Sequence, residues 1–589
     1  MIHRIRAIVE RMRPSAWWPE QRWTVVAGAS WAFAIALLLY RLPYGASNTD
    51  EPFYSAMPYS FLLGNRPWVN ELGVFQNAGL LLLPFYRVYV AIAGSAAGIV
   101  LFNRYLYVIW LVICSIASFA FVRRISTTTT ACCVAALVVG FSYFNLFALS
   151  YNTCGAFSFL CGILCTAYAV SKGRPGKALF CASLLLLAAM FAHPSLTPAV
   201  AVYSCILLHW LFRVTRREAR NNALLGFAAG ALVALTTAVA LAARLGRTGL
   251  ARLLAFSQGM GYGTQGPLQR LNVFHSMEEH WHWFIVGFAA LFVALPVLCV
   301  WLKRSLWPAV ALTVLGFGFV YWRGLAAATP TTSTILLTAL PVLAPICAVL
   351  NPTWEHRRFV LRLIWAPSLV AMLTIAYTSS NWYQSASLGV LGALIAGITS
   401  FSALLDARSA RDPSRRSGYQ LVFAAFFGTL FVMECHTWFT SFYADDAHFS
   451  HNQTRVRTGP QRGTFTTSEQ AKFLESIDRD LKTAERDNPT AKTLTIFDDF
   501  PTGYLSTRLK PLTFTHWIIW GFLPAEYAHA AAKQTWGTRA QLPDLLLEVH
   551  ENPIGRVYWE AYFRHRYRPI IRRPEYDYMI LRRIDTPHR

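Results

Sequence analysis

Residues 23–54 read WTVVAGASWAFAIALLLY (23–40) followed by RLPYGASNTDEPFY (41–54), an apolar run that leads directly into a polar segment with two adjacent carboxylates. A run of about 17–25 apolar residues is long enough to cross the hydrocarbon core of a bilayer as a helix. Similar runs recur along the chain and are separated by short basic segments. This pattern predicts a helical protein with many membrane spans.

The composition supports the same class. Of the 589 residues, 55% are hydrophobic and only 14% are charged, whereas about a quarter of the residues of a soluble protein are charged. The 53 Lys and Arg residues outnumber the 30 Asp and Glu residues. Many of these cations fall in short loops between apolar runs, as the positive-inside rule requires, so we do not interpret the excess as a nucleic-acid-binding surface.

We predict an all-α polytopic membrane domain with about thirteen transmembrane helices. With the N-terminus in the cytoplasm, the basic loop clusters fall inside and the C-terminus falls outside. The predicted spans are Trp23–Tyr40, Leu101–Val122, Thr128–Leu149, Thr153–Val170, Ala178–Ala192, Leu196–Phe212, Asn222–Ala242, His282–Leu302, Leu306–Tyr321, Pro330–Leu350, Phe359–Ala376, Ser387–Leu405 and Gln420–Thr440.

One apolar stretch, Val74–Gly98, does not fit as a span. It contains Arg87 and is interrupted by Pro84, and counting it would move the basic pair at 123–124 to the outside. We therefore predict that Gln76–Ala93 forms interfacial or re-entrant helices. The whole segment from 41 to 100 then becomes one long outer loop.

The C-terminal part of the chain differs in composition, being less hydrophobic and more highly charged. Thr466 with Glu469 offers a capping box at the start of a helix. Thr493–Phe497 and Tyr576–Leu581 read as strands. We predict a transmembrane domain over residues 1–440 and a small α/β extracytoplasmic domain over residues 441–589.

The candidate site is built from carboxylates that are rare in the first half of the chain. Asp50, Glu51 and Glu71 lie in the long outer loop, and a carboxylate close to a bilayer is costly enough to indicate a function or an ion pair. A general base and several cations suit the transfer of a sugar from a lipid phosphate to an acceptor. The candidate binding residues are Tyr54, Arg66, Gln76, Arg87, His193, Arg270 and Arg323.

The segment Asp50-Glu51-Pro52-Phe53-Tyr54 resembles the D-E-x-x-Y motif that follows the first span in C-type integral-membrane glycosyltransferases. That group includes protein O-mannosyltransferases and lipid A aminoarabinose transferases. The turn at 64–68 (GNRPW), the turn at 193–195 (HPS) and the thirteen-span layout are also similar to the family. The sequence departs from it at 76–78, where QNA replaces Lys-Pro-Pro, and at Asn152, which replaces an acidic residue.

The resemblance implies an inverting glycosyltransferase that moves a monosaccharide from a polyprenyl-phosphate donor to an extracytoplasmic hydroxyl or amine on a glycan, lipid or protein. Asp50 would be the base, while Glu51 and Glu71 would position the acceptor or a metal. The cations would hold the lipid phosphate in an enzyme of a bacterial inner membrane. Two alternatives stay open, namely a polymerase or ligase of lipid-linked oligosaccharides and a non-enzymatic lipid or solute transporter.

The cofactor requirement is not determined by the sequence. A cluster of His and Glu residues lies between the seventh and eighth predicted spans, but its spacing is not the H-E-x-x-H arrangement of zinc sites. We assign no metal ligand, and a divalent metal remains an open alternative. The cluster consists of His275, Glu278, Glu279, His280 and His282.

Overall fold

A bundle of long apolar helices forms most of the molecule, and a small domain with a mixed sheet follows it. The structure is a computed structural model. It describes residues 14–72, 76–172, 176–214, 217–259, 279–326, 338–379, 385–440, 442, 449–497, 499–516, 525–549 and 558–584.

The helices of the bundle follow one another with short connections. Two of them continue through a π-helical turn, at Leu312–Gly316 and at Leu361–Trp365. The helices are α1 (Pro14–Arg41), α2 (Asp50–Leu62), α3 (Gln76–Ala93), α4 (Ile99–Ile125), α5 (Thr128–Gly140), α6 (Tyr151–Lys172), α7 (Gly176–Ala192), α8 (Thr197–Val214), α9 (Arg217–Gly259), α10 (Glu279–Trp301), α11 (Trp307–Ala311), α12 (Phe317–Ala326), α13 (Leu343–Leu350), α14 (Arg357–Val360), α15 (Ala366–Thr378), α16 (Leu391–Arg411) and α17 (Arg416–Thr440).

Within the described residues, nine helices are long and apolar enough to cross a membrane. Three more apolar helices are shorter, namely Thr128–Gly140, Lys177–Ala192 and Leu340–Leu350. The predicted count of thirteen spans is therefore not confirmed. The residues 330–337 of one predicted span lie outside the described part of the chain.

The predicted span Thr128–Leu149 is too long. Helix α5 ends at Gly140, and residues 141–150 form an irregular loop instead. Phe144 and Asn145 adopt positive φ angles of 54° and 56°, which a continuous right-handed helix excludes. The side-chain amide of Asn145 donates to the carbonyl oxygen of Thr437 at 2.7 Å, so this loop is tied to the end of α17.

Helix α3 has the bounds that the sequence predicts for the interfacial segment, Gln76–Ala93. One face packs on α2, where the Tyr86 hydroxyl donates to the Ser55 hydroxyl oxygen at 2.9 Å. On the other face, Phe85, Val88 and Ile92 are exposed. The helix is thus amphipathic, and it is not one of the nine candidate spans among the described residues.

The C-terminal region contains three helices and seven strands. A five-stranded sheet has the order β4-β3-β5-β7-β6, in which β3 pairs in parallel with β4 and β5 and the remaining pairs are antiparallel; β1 and β2 form a separate hairpin. The elements are α18 (Ser468–Asp487), α19 (Thr502–Ser506), α20 (Ala525–Trp536), β1 (Thr454–Arg455), β2 (Phe465–Thr466), β3 (Thr493–Phe497), β4 (Lys510–Pro511), β5 (Leu545–Val549), β6 (Tyr567–Arg573) and β7 (Tyr578–Arg583).

Two predicted boundaries in this region are shifted. The N-cap of α18 is Thr467, whose hydroxyl accepts the backbone N–H of Gln470 at 3.2 Å, while Thr466 belongs to β2. The last strand begins at Tyr578 because Asp577 adopts a left-handed φ of 50° that ends the preceding turn. Strand β3 has the predicted bounds.

The C-terminal region packs directly on the loop that follows α1. The backbone N–H of Phe465 donates to the carbonyl of Pro43 and the N–H of Gly45 donates to the carbonyl of Phe465, both at 2.8 Å. The Gln461 side-chain amide donates to the carbonyl of Ser47 at 2.6 Å. We call the end of the bundle formed by residues 41–50, 141–150 and 193–197 the domain end.

Candidate active site

Asp50 is buried at the start of α2, where the loop after α1 becomes helical. Thr49 is the N-cap but makes no side-chain capping bond, and Asp50 occupies the first turn, where the helix dipole favours negative charge. The Tyr54 hydroxyl donates to Asp50 Oδ1 at 3.2 Å, and the Thr49 hydroxyl donates to Oδ2 at 3.4 Å. The i,i+4 spacing within α2 therefore sets the orientation of the carboxylate.

A line of rings connects Asp50 with the turn between α7 and α8. The ring of Tyr54 lies 6.0 Å from that of Tyr151, which starts α6, and Tyr151 lies 5.4 Å from His193. Sequence positions 50, 151 and 193, from three separate segments, thus come together at the domain end. The predicted donor residues Tyr54 and His193 belong to the same local cluster as Asp50.

His193 is buried, and its environment determines its charge. Burial lowers the pKa of the His193 imidazole from its usual value to about 4, because an apolar surrounding disfavours the protonated ring. Its Nδ1 atom is buried without a hydrogen-bond partner. At neutral pH this side chain offers a hydrogen bond rather than a positive charge.

Glu51 forms an ion pair inside the bundle. Arg104, on α4, donates from Nε to both carboxylate oxygens at 3.1 Å, and its Nη2 contacts the same carboxylate. The remaining guanidinium N–H groups donate to the carbonyls of Leu42 and Gly45 at 2.7 Å and of Tyr44 at 3.2 Å. Arg104 is therefore the group that holds the loop between α1 and α2, and the two oxygens of Glu51 serve that contact.

Glu71 is fully buried and contacts the C-terminal region. Its Oε2 lies 2.6 Å from His516 Nδ1 and accepts the backbone N–H of His516 at 3.0 Å. The other ring nitrogen of His516, Nε2, is buried without a partner. A carboxylate that contacts Nδ1 fixes the orientation of the imidazole ring, and it also fixes the tautomer when Nδ1 carries the proton.

Gln76 supports the same loop. Its Nε2 donates to the carbonyl of Glu71 at 3.0 Å, and its Oε1 accepts the backbone N–H of Trp68 at 2.7 Å. The ring of Trp68 in turn lies 6.4 Å from Phe191, two residues before His193. In the structure, Gln76 fixes the backbone on either side of the predicted donor turn.

The predicted cations are less closely associated. Arg66, Arg87 and Arg323 are exposed, and no contact among the described residues joins their side chains to Asp50. Arg66 lies in the turn before Trp68, while Arg323 lies in the last turn of α12. Arg270 is outside the described residues, so its predicted role is not addressed by the structure.

The candidate metal cluster also falls on residues that the structure does not describe or whose side chains it does not place. Within the described part of the chain there is no group of three or more His, Cys, Asp or Glu side chains close enough to hold a metal ion. The described carboxylates near the site instead contact Tyr54, Arg104 and His516.

Sequence reasoning overlooked two residues of this site. Arg104 is a cation within the apolar helix α4, and such a residue is rare enough in a span to indicate a buried partner. His516 had no comparable signal, because its partner Glu71 is 445 positions earlier in the chain.

Comparisons with known proteins give little further information. No protein-family model and no curated protein sequence match the chain. Two solved structures that resemble it are of the Archaeoglobus fulgidus oligosaccharyltransferase, one in complex with Zn and sulfate and one in the apo form. They are 11% and 10% identical, cover 88% and 91% of this chain and 68% and 70% of the other, and both have a TM-score of 0.46. The similarity is too weak to support an argument about fold or reaction.

Proposed function

We propose that the chain is an inverting glycosyltransferase that moves a monosaccharide from a polyprenyl-phosphate donor to an acceptor hydroxyl or amine. The observation on which this depends is the buried carboxylate of Asp50, oriented by Tyr54 at the junction of the bundle and the C-terminal domain. A buried carboxylate beside polar loops and lipid-facing helices suits a base that acts on an acceptor from water and a donor from the bilayer.

The proposed chemistry is a single displacement. The acceptor oxygen attacks the anomeric carbon while Asp50 accepts the acceptor proton. The bond between that carbon and the phosphate oxygen breaks, and its electron pair leaves with the lipid phosphate. Attack from the face opposite the leaving group inverts the anomeric configuration.

The other site residues act as supports in this proposal. Glu51 and Arg104 hold the loop that contains Asp50, and Glu71 with His516 holds the C-terminal domain over it. His193 gives the departing phosphate a hydrogen bond rather than a charge, and Arg66 and Arg323 supply positive charge from the rim. Arg87 and Arg270 are further candidates for the phosphate.

We place the domain end on the extracytoplasmic side. The opposite end of α4 has Arg123 and Arg124, and that of α16 has Arg408 and Arg411. Cytoplasmic loops are enriched in such residues, so the C-terminal domain and Asp50 would face outward, where donor sugars are available as lipid-linked forms. A bacterial inner membrane is the proposed location.

The test is the Asp50→Asn variant, assayed with purified protein against a panel of polyprenyl-phosphate monosaccharides. Asn keeps the size and one hydrogen-bond acceptor but is not basic, so transfer should fall by about a hundredfold to ten-thousandfold. Donor binding, measured by co-purification of the lipid, should persist. Transfer within threefold of wild type would contradict the assignment of Asp50. Absence of transfer by wild type from every donor, with lipid movement across vesicles, would favour the transporter instead.

A further inference from the structure

A second polar site lies away from Asp50, where the β1–β2 hairpin of the C-terminal domain meets the start of α4. It is a cleft of about 830 Å³. Three guanidinium groups and three aromatic rings line it, and we call it the arginine cleft. These residues are Arg455, Arg457, Arg462, Tyr89, Phe102 and Tyr105.

The three arginines of the cleft are exposed, and no carboxylate among the described residues pairs with their guanidinium groups. The nearest acidic contact involves the backbone, because Glu475 accepts the main-chain N–H of Arg457 at 2.7 Å. Three cations without counter-ions around one concave surface repel one another. Such an arrangement suits an anionic ligand that neutralises them.

The cleft has a fixed shape because the hairpin turn is bound to the helix start. The N–H of Gly98 donates to the carbonyl of Gly459 at 3.0 Å, and that of Val100 donates to the carbonyl of Pro460 at 3.3 Å. On the other wall, the rings of Tyr89 and Phe102 are stacked with centroids 4.4 Å apart. The arginines therefore project from a braced hairpin rather than a free loop.

The cleft also stands at the top of a lipid-facing stripe. Tyr105, Ile109, Ile113 and Ile116 of α4 are all about half exposed, at 45%, 55%, 47% and 51%. Their spacing of three to four residues places them on one face of a candidate membrane span. Tyr105 both begins this stripe and lines the cleft.

The amphipathic helix α3 gives a second indication of depth. Val88 and Ile92, on either side of the cleft residue Tyr89, are exposed at 59% and 82%. Aromatic side chains and arginines concentrate where the hydrocarbon ends and the headgroups begin. The arginine cleft thus lies at the level of the phosphate groups of a surrounding bilayer.

We propose that the arginine cleft binds the phosphate headgroup of an anionic glycerophospholipid. Guanidinium groups donate paired hydrogen bonds to phosphate oxygens, and the tyrosine and phenylalanine rings cover the glycerol and upper acyl chains. The adjoining strand β2 contains Phe465, which pairs with Pro43 and Gly45 in the loop before Asp50. A bound lipid would therefore fix the hairpin that holds this loop.

The experiment measures lipid retained by the purified full-length protein by native mass spectrometry, after exchange into detergent containing phosphatidylglycerol or phosphatidylcholine. We expect one retained phosphatidylglycerol in the wild type and at least tenfold weaker retention in the variant R455A/R457A/R462A. The matched control is R566A/R568A/R572A, which removes the same charge at and beside the edge strand β6 and should retain the lipid. Equal retention by the two triple variants would overturn the proposal.

Three further arms keep the outcome decisive. Single Arg→Gln changes at 455 and 462 apply if the triple variant fails to fold, and each should weaken phosphatidylglycerol retention several-fold, whereas unchanged retention counts against the site. Inorganic phosphate at millimolar concentration should not displace the lipid, and displacement would indicate a site for free phosphate. Polyprenyl phosphate should not compete at equal concentration, and stoichiometric competition would assign the cleft to a donor lipid and overturn the proposal.

Discussion

The contact between Tyr54 and Asp50 couples the candidate base to its own helix. The phenol donates to one carboxylate oxygen across a single turn of α2, and the Tyr54 ring packs against Tyr151. Orientation of the carboxylate therefore depends on a hydroxyl group that takes no direct part in the proposed reaction. Its effect can be separated from that of the base.

The Tyr54→Phe variant keeps the ring and removes only the hydroxyl. A hydrogen bond to a charged group is worth about 1.5–3 kcal/mol, so we expect turnover to fall by roughly ten- to a hundredfold, less than for Asp50→Asn. The measurement is initial transfer rate at saturating donor. A loss equal to that of Asp50→Asn would show that Tyr54 takes part in the chemistry itself.

His193 makes stability depend on pH. Because burial lowers the His193 pKa to about 4, the unfolded chain binds more protons than the folded one between that value and the usual pKa near 6.5. The stabilisation is complete above about pH 6.5 and decreases as the pH falls, by up to about 1.4 kcal/mol per unit. The melting temperature of wild type should fall between pH 7 and 5 more steeply than that of His193→Gln. Equal slopes would contradict a buried neutral imidazole.

At the scale of elements, α4 determines the path of the loop between α1 and α2. One arginine within this helix uses its guanidinium to hold three backbone carbonyls and the Glu51 carboxylate. These contacts replace the hydrogen bonds with water that the loop would otherwise make. The first turn of α2, and with it Asp50, takes its place from α4 rather than from its own propensity.

The Arg104→Met variant tests this function of α4. It leaves the Glu51 carboxylate buried and unpaired, which should cost about 3–5 kcal/mol of stability. The double variant Arg104→Met/Glu51→Gln removes the uncompensated charge, so it should recover part of that loss. Thermal unfolding of the purified protein gives the comparison, and a double variant less stable than Arg104→Met alone would contradict the ion pair.

At the scale of the whole molecule, the C-terminal domain forms one wall of the candidate site. The buried pair of Glu71 and His516 and an apolar cluster that includes Phe53, Leu72 and Phe514 lie between the two parts. The domain is thus packed against the loops that contain the carboxylates. Its docking and the order of the site should change together.

A double-mutant cycle with Glu71→Gln and His516→Asn measures this docking. We expect a coupling of about 0.5–3 kcal/mol in unfolding free energy, because the groups share one buried hydrogen-bond network, together with faster proteolysis at the junction in both single variants. The exposed pair Glu560 and Arg564 is the control and should couple by less than about 1 kcal/mol. Additive effects at Glu71 and His516 would rule out the pair as a docking contact.

The sequence alone determined the features that depend on neighbouring residues. Hydrophobic runs identified the long helices, and the interruption of one run identified α3 with its bounds Gln76–Ala93. Alternation of apolar residues gave β3, and the acidic start of α2 indicated Asp50. These signals lie within a few residues of one another, so hydropathy and capping rules can read them directly.

Only the tertiary structure decided how the carboxylates are used. Glu51 and Glu71 look alike in the sequence, but one faces Arg104 on a neighbouring helix and the other faces His516 in the C-terminal domain. The same holds for residues 141–150, where positive φ angles and a bond to α17 replace the predicted helix. Partner choice depends on which distant segments pack together, since a buried charge takes the nearest opposite group in space and the order of the chain does not specify it.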